Sequence, residues 1–335
     1  MEEYDLTIIG GGPVGVFATF YAGLRDVKVQ LIESLAELGG QVKALYPEKN
    51  ILDVAGYMNV KGKDLVVDLE KQLGQFEPDV KTDTMVTDVV ADETGFVITT
   101  NHATTHTKAV IVATGKGKFE PRKLPLDGIA NLEGQNIHYF LGDLSKFAGK
   151  RVLVAGGGDS AVDTALLLTE NASEVHIMHR RDQFRALEHS VHQMEISSII
   201  KDTPYMVHEI KKLADGTLNV SLKKMKTDEI KVVNVDEIVV SYGFISENKI
   251  IQGWNIQPEL SEKQNMLVNS EMMTSIDGVY AIGDANDYAG KADLIATGFG
   301  EAPVAVNAAI SQIYPERGGA LHSSSLTIEN GEVKH

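Results

Sequence analysis

Residues Asp5–Gly15 read DLTIIGGGPVG, and Arg151–Ala161 repeat the same plan as RVLVAGGGDSA. In both stretches an apolar run, typical of a parallel strand covered on both faces, leads into three consecutive glycines. Helical spacing of apolar residues follows over roughly 16–24 and 160–170, and then a second strand rich in β-branched residues, at 27–32 and 175–178. Two such units predict an α/β protein with two three-layer, Rossmann-like domains.

The first glycine-rich turn has the features of a dinucleotide-binding site. Glycines let the backbone approach a pyrophosphate, which the positive field of the helix N-terminus favours. Pro13 stands near the first helical position, and Glu33 ends the second strand, where a carboxylate can accept hydrogen bonds from ribose hydroxyls. The predicted nucleotide contacts are Gly10, Gly12, Pro13, Gly15 and Glu33. A packing turn without a ligand is the alternative.

The second turn differs from the first in its charge. Ala161 takes the third glycine position, a replacement that this turn tolerates, and basic residues stand where the first copy has its acid. Guanidinium groups pair bidentately with a 2′-phosphate, which a carboxylate would repel. The sequence therefore predicts an NADPH site formed by Gly156, Gly158, Asp159, Ser160, Arg180, Arg181 and Arg185. Asp159 is also expected to cap the following helix. A solvated basic turn is the alternative.

The order of segments indicates that one domain is inserted in the other. Residues 85–113 are β-rich and end in the run AVIVA, after which the charged segment 116–125, KGKFEPRKLP, resembles a crossover. Strand-like segments continue over 217–245, before a strand at 279–282 and a helix near 302–313. The predicted first domain is 1–116 with 246–335, and the predicted NADPH domain is 117–245.

Composition excludes several classes of protein. The 335 residues include no cysteine, so disulfides, thiolate metal sites and dithiol catalysis are excluded in this chain, and redox chemistry would need a bound cofactor. The histidines show no metal-binding spacing, so no metal is expected. The net charge of -16 argues against nucleic acid or an anionic membrane as partner. Without a signal segment or a long apolar run, we expect a cytoplasmic protein.

Three further motifs are weak singly. Ala113-Thr114-Gly115 ends a strand, and Gly283-Asp284 follows another, where a carboxylate can reach the hydroxyls of a ligand. The string GFGEAP at 298–303 then opens a helix whose N-terminus favours negative charge on a bound ring. Each alone is an ordinary turn, but their order after the two glycine-rich turns favours a common function.

Taken together, these strings resemble the thioredoxin-reductase-like flavoproteins. The similarity runs over nearly the whole chain, and HRRDQFRA at 179–186 is its most specific string. Family members carry a CxxC pair before the second glycine-rich turn. The two cysteines would fall at Tyr139 and Gly142, with Asp143 matching the aspartate that follows them. A thioredoxin reductase mechanism is therefore ruled out.

What remains is similar to the bacterial thioredoxin-reductase-like ferredoxin–NADP reductases (type 2). Local support comes from LGGQ at 38–41, ALYPEK at 44–49, LIATGFGEAP at 294–303 and the tail LHSSSL at 321–326. The resemblance implies FAD in the first domain, with Tyr46 and His322 stacked on the two faces of the flavin. It implies further FAD contacts at Glu33, Gln41, Val86, Phe119, Asp284 and Ser324, and a homodimer. A polar, frayed tail is the alternative for residues 314–335.

The activity implied is electron transfer from NADPH to ferredoxin or flavodoxin, with hydride passing to the flavin and single electrons leaving it. No side chain is required as general acid or base. A thiol-free NADPH diaphorase that reduces quinone or oxygen, and a non-catalytic redox sensor, remain as alternatives. An acidic carrier would need a basic landing site, for which Lys116, Lys118, Arg122 and Lys123 are candidates; a solvated hinge is their other reading.

Overall fold

The computed structural model describes residues 1–247, 249–317, 327–329 and 332–334, and the side chains of 118–120, 244–250 and 318–335 are not described. The chain divides into two compact units, Met1–Lys118 with Ser246–His335, and Phe119–Ile245. The second unit is thus inserted in the sequence of the first.

The N-terminal part of the first unit contains helices α1 (Pro13–Leu24), α2 (Gly40–Ala44) and α3 (Gly62–Leu73). Its strands are β1 (Glu2–Ile9), β2 (Val29–Ile32), β3 (Asn50–Ile51), β4 (Val60–Lys61), β5 (Asp79–Lys81), β6 (Val86–Ala91), β7 (Phe96–Thr100) and β8 (Thr104–Val112).

The second unit contains helices α4 (Asp159–Leu168) and α5 (Glu188–Ile196) and the 3-10 turn Leu144–Phe147. Its strands are β9 (Lys118–Pro121), β10 (Ile137–His138), β11 (Arg151–Gly156), β12 (Glu174–Met178), β13 (Ile200–Asp202), β14 (Tyr205–Lys212), β15 (Leu218–Lys224), β16 (Ile230–Val235) and β17 (Glu237–Ser241).

The chain returns through β18 (Phe244–Glu247) and α6 (Lys249–Gln252) and ends in α7 (Ile295–Ile313). Between and after these helices lie β19 (Met266–Leu267), β20 (Val279–Ala281), β21 (Asn286–Asp287), β22 (Thr327–Glu329) and β23 (Glu332–Lys334), with 3-10 turns at Gly283–Ala285 and Pro315–Arg317.

The first unit has three layers. Its central sheet has the order β5-β2-β1-β8-β7-β6, with β20 also pairing with β8; β1, β2, β5, β8 and β20 pair in parallel. Because side chains alternate along a strand, Leu6 and Ile8 pack with the core beneath α1, α3 and α7, whereas Ile9 packs with the core on the β6–β7 side.

The second unit repeats this plan. A parallel sheet of order β10-β17-β11-β12-β13 has α4 and α5 in the core of one face and the antiparallel sheet β14-β15-β16 in the core of the other. In both units the glycine-rich turn follows the strand that lies inside the parallel sheet, β1 or β11. The sheet therefore places the turn at the carboxyl ends of its strands, where α/β proteins bind ligands.

The last helix corrects one expectation from the sequence. It begins at Ile295, not near residue 302, and Pro303 lies inside it. Gly298 is a packing residue rather than a turn residue, since a Cβ there would lie 2.4 Å from Cγ2 of Val14. Within the described residues, no helix is long and apolar enough to cross a membrane.

Candidate functional site

Three glycines in the first turn differ in their surroundings. A Cβ on Gly15 would lie 1.9 Å from the carbonyl oxygen of Gly10, so Gly15 allows α1 to pack against the turn. Gly10 has φ +110°, and its Cβ would meet the Ala113 carbonyl at 2.5 Å. Around Gly12, by contrast, no atom of the described residues other than its chain neighbours lies within 4 Å of the position of a Cβ, and its φ of -69° suits any residue. The space beside Gly12 therefore fits a pyrophosphate at the N-terminus of α1, where Pro13 is the first residue.

Glu33 is held in place by the turn itself. It is 6% exposed, and its Oε2 accepts a hydrogen bond from the Gly11 amide at 2.7 Å. Its Oε1 accepts hydrogen bonds from the Leu35 amide at 2.8 Å and the Ser34 hydroxyl at 3.1 Å. A carboxylate fixed in this way still has lone pairs for ribose hydroxyls.

A short loop covers the glycine-rich turn. The Gly39 amide donates to the Gly11 carbonyl at 2.8 Å, and Gly39 and Gly40 both have positive φ. Gln41 follows in α2, and its side-chain nitrogen lies 3.9 Å from the position of a Cβ on Gly115. This brings the LGGQ and ATG strings together at one turn.

The remaining described FAD candidates lie on the same unit. Tyr46 is half-buried, with Lys49 Nζ 5.8 Å from its ring centroid. Val86 begins β6 with a buried side chain, so only its backbone is available to a ligand. The Thr84 amide donates to the Glu33 carbonyl at 2.9 Å, which places this strand beside Glu33. His322 and Ser324 lie outside the described residues, as does the side chain of Phe119.

Asp284 lies in the turn after β20. Gly283 before it has φ +63°, and the Asp284 carboxylate is half-buried. Burial raises the pKa of Asp284, and the charges of Lys116, Asp293, Lys291 and Glu301 act on it less strongly. Among the described residues, no side chain or amide forms a hydrogen bond with this carboxylate. Asp284 therefore has the environment of a ligand-binding carboxylate.

Two residues beside Asp284 were not predicted from the sequence. Lys291 and Glu301 form an ion pair whose side chains are only 2% and 4% exposed. Glu301 was part of the string GFGEAP but was not singled out, since one acid in a helix usually lies in solvent. Its position in an otherwise apolar stretch of α7 is the sequence feature that could have identified it.

The turn of the second unit also has tight and open glycines. A Cβ on Gly156 would lie 2.4 Å from the Ser241 carbonyl oxygen and 2.8 Å from Cβ of Ala161. One on Gly157 would meet the His179 ring at 2.2 Å, whereas Gly158 has only the Arg185 carbonyl oxygen nearby, at 3.7 Å. The open position thus recurs at the third glycine of the run, as in the first unit.

Asp159 does not cap α4, contrary to the expectation. Gly158 is the cap residue and makes no side-chain hydrogen bond, while Asp159 is the first helical residue. Its carboxylate accepts a hydrogen bond from the Leu187 amide at 2.9 Å and so ties the segment after the arginines to the helix. Ser160 is half-buried beside it.

The three arginines expected at the 2′-phosphate are exposed. The Arg185 amide donates to the Gly157 carbonyl at 2.7 Å, so the arginine segment is tied to the glycine-rich turn. Within the described part of the chain, none of the three guanidinium groups forms an ion pair. Burial, together with the charges of Arg180, Arg181 and Arg185, lowers the pKa of His179, which keeps that ring neutral beside Gly157.

Tyr139 and Gly142 stand at the two positions matched to cysteines, and Asp143 follows them. The Tyr139 hydroxyl donates to Glu133 at 2.7 Å, and burial raises the pKa of Tyr139 to about 12. Asp143 accepts a hydrogen bond from the Ser145 amide at 2.9 Å and caps a 3-10 turn. Of the basic residues proposed as a landing site, Lys116 pairs with Asp293 at 3.1 Å and Lys123 with Glu133 at 2.6 Å.

Comparison with known proteins agrees with this geometry. The model of the pyridine nucleotide-disulphide oxidoreductase family matches residues 4–309. The ferredoxin–NADP reductase of Leuconostoc mesenteroides is 53% identical over 99% of both chains, and that of Lactiplantibacillus plantarum is 50% identical over 97% of this chain and 98% of its own.

Two solved thioredoxin reductases are also similar to this chain. Thioredoxin reductase of T. acidophilum superposes with a TM-score of 0.81 at 25% identity, covering 93% of this chain and 99% of its own. That of Lactococcus lactis has a TM-score of 0.80 at 28% identity, with the same coverage.

Proposed function

The chain belongs to the pyridine nucleotide-disulphide oxidoreductase family and, within it, to the ferredoxin–NADP reductases, and we propose from this membership which nucleotide each glycine-rich turn binds. The enzyme transfers electrons between NADPH and a one-electron protein carrier through FAD. Bound FAD would supply the chemistry that connects a hydride donor, NADPH, with a carrier that takes one electron at a time. We assign FAD to Met1–Lys118 with Ser246–His335, and NADPH to Phe119–Ile245.

The opposite charges that follow the two turns carry this assignment. In the first unit the fixed carboxylate of Glu33 receives ribose hydroxyls and repels a 2′-phosphate. In the second unit the exposed arginines attract that phosphate, and no acid of the described chain neutralises them.

The chain's own residues bind and orient the two nucleotides, without a general acid or base. The turn at Gly12 holds the pyrophosphate of FAD, Asp284 its hydroxyls, and Tyr46 one face of its ring. The turn at Gly158, with Ser160, holds the pyrophosphate of NADPH. The chain has no cysteine, so it has no dithiol of its own to pass electrons to a carrier.

The acceptor is tested by offering ferredoxin, flavodoxin, thioredoxin, quinone and oxygen side by side in steady-state NADPH oxidation. Fast turnover with ferredoxin or flavodoxin at low micromolar concentration supports the proposal. Equal rates with quinone would favour a diaphorase, and bound FAD without turnover with any acceptor would favour a sensor. We also propose a cytoplasmic location, where NADPH is available, which cell fractionation tests.

We further propose a homodimer in which each tail covers the flavin of the other chain. Helix α7 has 19 residues and is therefore about 28 Å long, leading away from the Asp284 turn. At its far end the Tyr314 hydroxyl donates to Asp5, and Arg317 donates to the carbonyls of Arg25 and Asp26. Five residue steps, at most about 18 Å, separate Arg317 from His322, which is less than the length of α7 and supports a tail that serves the other chain.

A further inference from the structure

The buried ion pair beside Asp284 holds one glycine by both of its backbone polar groups. Glu301 Oε2 accepts a hydrogen bond from the Gly283 amide at 2.7 Å, and Lys291 Nζ donates to the Gly283 carbonyl at 3.0 Å. The two side chains also bond each other. Gly283 has φ +63°, a conformation that other residues rarely adopt, so its orientation depends on such bonds.

The carboxylate of Glu301 is fully occupied by protein donors. Its Oε1 accepts hydrogen bonds from Lys291 and from the Tyr288 hydroxyl, the latter at 2.9 Å. Its Oε2 accepts, besides the Gly283 amide, a hydrogen bond from Asn286 Nδ2 at 3.2 Å. At 4% exposure Glu301 has no surface left for a ligand, and neither has the side chain of Lys291 at 2%. Both act on a ligand only through the backbone that they hold.

Asp284, the next residue along the chain, shows the opposite pattern. Its carboxylate is half-buried but has no hydrogen-bonding partner among the described residues, so its position depends on its backbone. That backbone continues from Gly283. The network therefore orients a carboxylate that is left unpaired for something other than protein.

Stability alone gives a weak reason for a buried ion pair at this place. Removing two charges from water costs free energy that their attraction and hydrogen bonds only partly return, and apolar side chains of similar volume often replace such a pair without loss. A pair that bonds both backbone groups of one left-handed glycine serves instead to fix a geometry.

We propose that Lys291 and Glu301 are positioning residues of the FAD site, which hold Gly283 so that the Asp284 carboxylate meets hydroxyl groups of FAD. This inference rests on the proposed assignment of FAD to the first unit. It predicts that the pair contributes to FAD affinity only while Asp284 is present.

A double-mutant cycle tests the proposal on apoprotein reconstituted with FAD. The variants are Lys291→Met with Glu301→Met, Asp284→Ala, and all three together; the apolar pair is chosen because it avoids a buried unpaired charge. The readouts are the Kd for FAD, from quenching of flavin fluorescence, and the Tm of the apoprotein. We expect the apolar pair to raise the Kd about tenfold and to lower the apoprotein Tm by a few degrees, because the Gly283 amide and Asn286 lose their acceptor. The triple variant should bind FAD no worse than Asp284→Ala.

The control is the ion pair of Lys150 with the buried Glu237 in the other unit, replaced by Lys150→Met with Glu237→Met. It should change the Kd for FAD by less than about twofold. Additive losses in the cycle, or an unchanged Kd in the apolar pair, would overturn the positioning role. Failure of the unaltered protein to bind FAD would instead overturn the proposed function.

Discussion

Gly12 and Gly15 are both glycines of the first turn, but only one of them is required by the protein. The methyl group of alanine at Gly12 would meet no described residue beyond its chain neighbours within 4 Å, whereas alanine at Gly15 would collide with the Gly10 carbonyl oxygen at 1.9 Å. We expect Gly12→Ala to fold with a Tm close to that of the unaltered apoprotein and to lose FAD affinity, because the methyl group takes the place of a phosphate oxygen. Gly15→Ala should fail to fold or lose several degrees of Tm. Full flavin content in Gly12→Ala would show that the pyrophosphate lies elsewhere.

The arginines of the second unit should decide between the two nicotinamide nucleotides. A charge-assisted hydrogen bond contributes about 1.5–3 kcal/mol, so each arginine removed should raise the KM for NADPH by one to two orders of magnitude. Arg180→Ala with Arg181→Ala should leave the KM for NADH nearly unchanged, because NADH has no 2′-phosphate. Steady-state kinetics with both nucleotides measures the difference. An equal rise in KM with both nucleotides would mean that these residues support the fold. The control is His192→Ala, which changes an exposed side chain on α5 and should leave both KM values unchanged.

At this level the sequence predicted residues that follow a spacing rule and missed those that meet only in three dimensions. Glu33 stands at a fixed distance after the glycines, so its place beside the glycine-rich turn could be predicted. Lys291, Glu301 and Gly283 are brought together by a loop and a helix whose packing no local pattern specifies. Asp159 was misassigned as a cap because helix ends are uncertain by one residue and its actual partner, Leu187, is remote in sequence.

Among the elements, strands β12 and β13 share a buried cluster that should make stability depend on pH. His176 Nδ1 lies 2.7 Å from Asp202 Oδ2, with Glu174 on its other nitrogen and Lys231 also bonded to Asp202. Burial lowers the pKa of His176, but Asp202 and Glu174 outweigh burial and raise it. Burial likewise raises the pKa of Asp202, but His176 and Lys231 outweigh it and lower that pKa.

The directions of these two pKa shifts determine how the stability of the fold changes with pH. A raised histidine pKa stabilises the fold fully below pH about 6.5, and the contribution is lost as pH rises through the folded value. The lowered pKa of Asp202 keeps its contribution above pH about 3.9. We therefore expect His176→Gln to lower Tm by a few degrees near pH 5.5 and by less at pH 9, measured by thermal unfolding. A Tm difference independent of pH would contradict this, and His192→Gln should show no such dependence.

The helices show where local signals mislead. Glycine and proline normally mark helix ends, so the GFGEAP string shifted the expected start of α7 to near 302. In the structure the helix starts at Ile295, since Gly298 serves close packing against Val14 and the tertiary contacts of α7 outweigh the missing amide of Pro303. Strands β1, β8 and β11 were clear, because a continuous apolar run leaves few alternatives.

For the whole molecule, the internal repeat was the decisive signal. Two copies of strand, glycine-rich turn, helix and strand predicted two units of the same plan, and each unit has parallel strands with helices on one face. The antiparallel strands extend the central sheet in the first unit and form a separate sheet in the second. No residue pattern reports the oligomeric state, because an interface depends on surfaces that are assembled only after folding. The reach of the C-terminal tail is therefore the available argument for a dimer.

Mixed dimers can decide whether the tail acts on its own chain or on its partner. One chain lacks residues 318–335, and the other carries Tyr46→Ala with an intact tail. If His322 covers the partner's flavin, the shortened chain keeps Tyr46 and receives the other chain's tail, so half of the flavins in the mixed dimer have both stacking partners. If the tail covers its own flavin, no site has both. Because one of the two sites is complete, we expect the flavin spectrum and the NADPH oxidation rate of the mixed dimer to recover about half of the difference between the unaltered protein and the parent variants. The difference should be measurable, since a stack contributes roughly 1–3 kcal/mol in nucleic-acid systems. A mixed dimer that matches the mean of its two parents would show that each tail serves its own chain, and a monomer in sedimentation analysis would remove the dimer altogether.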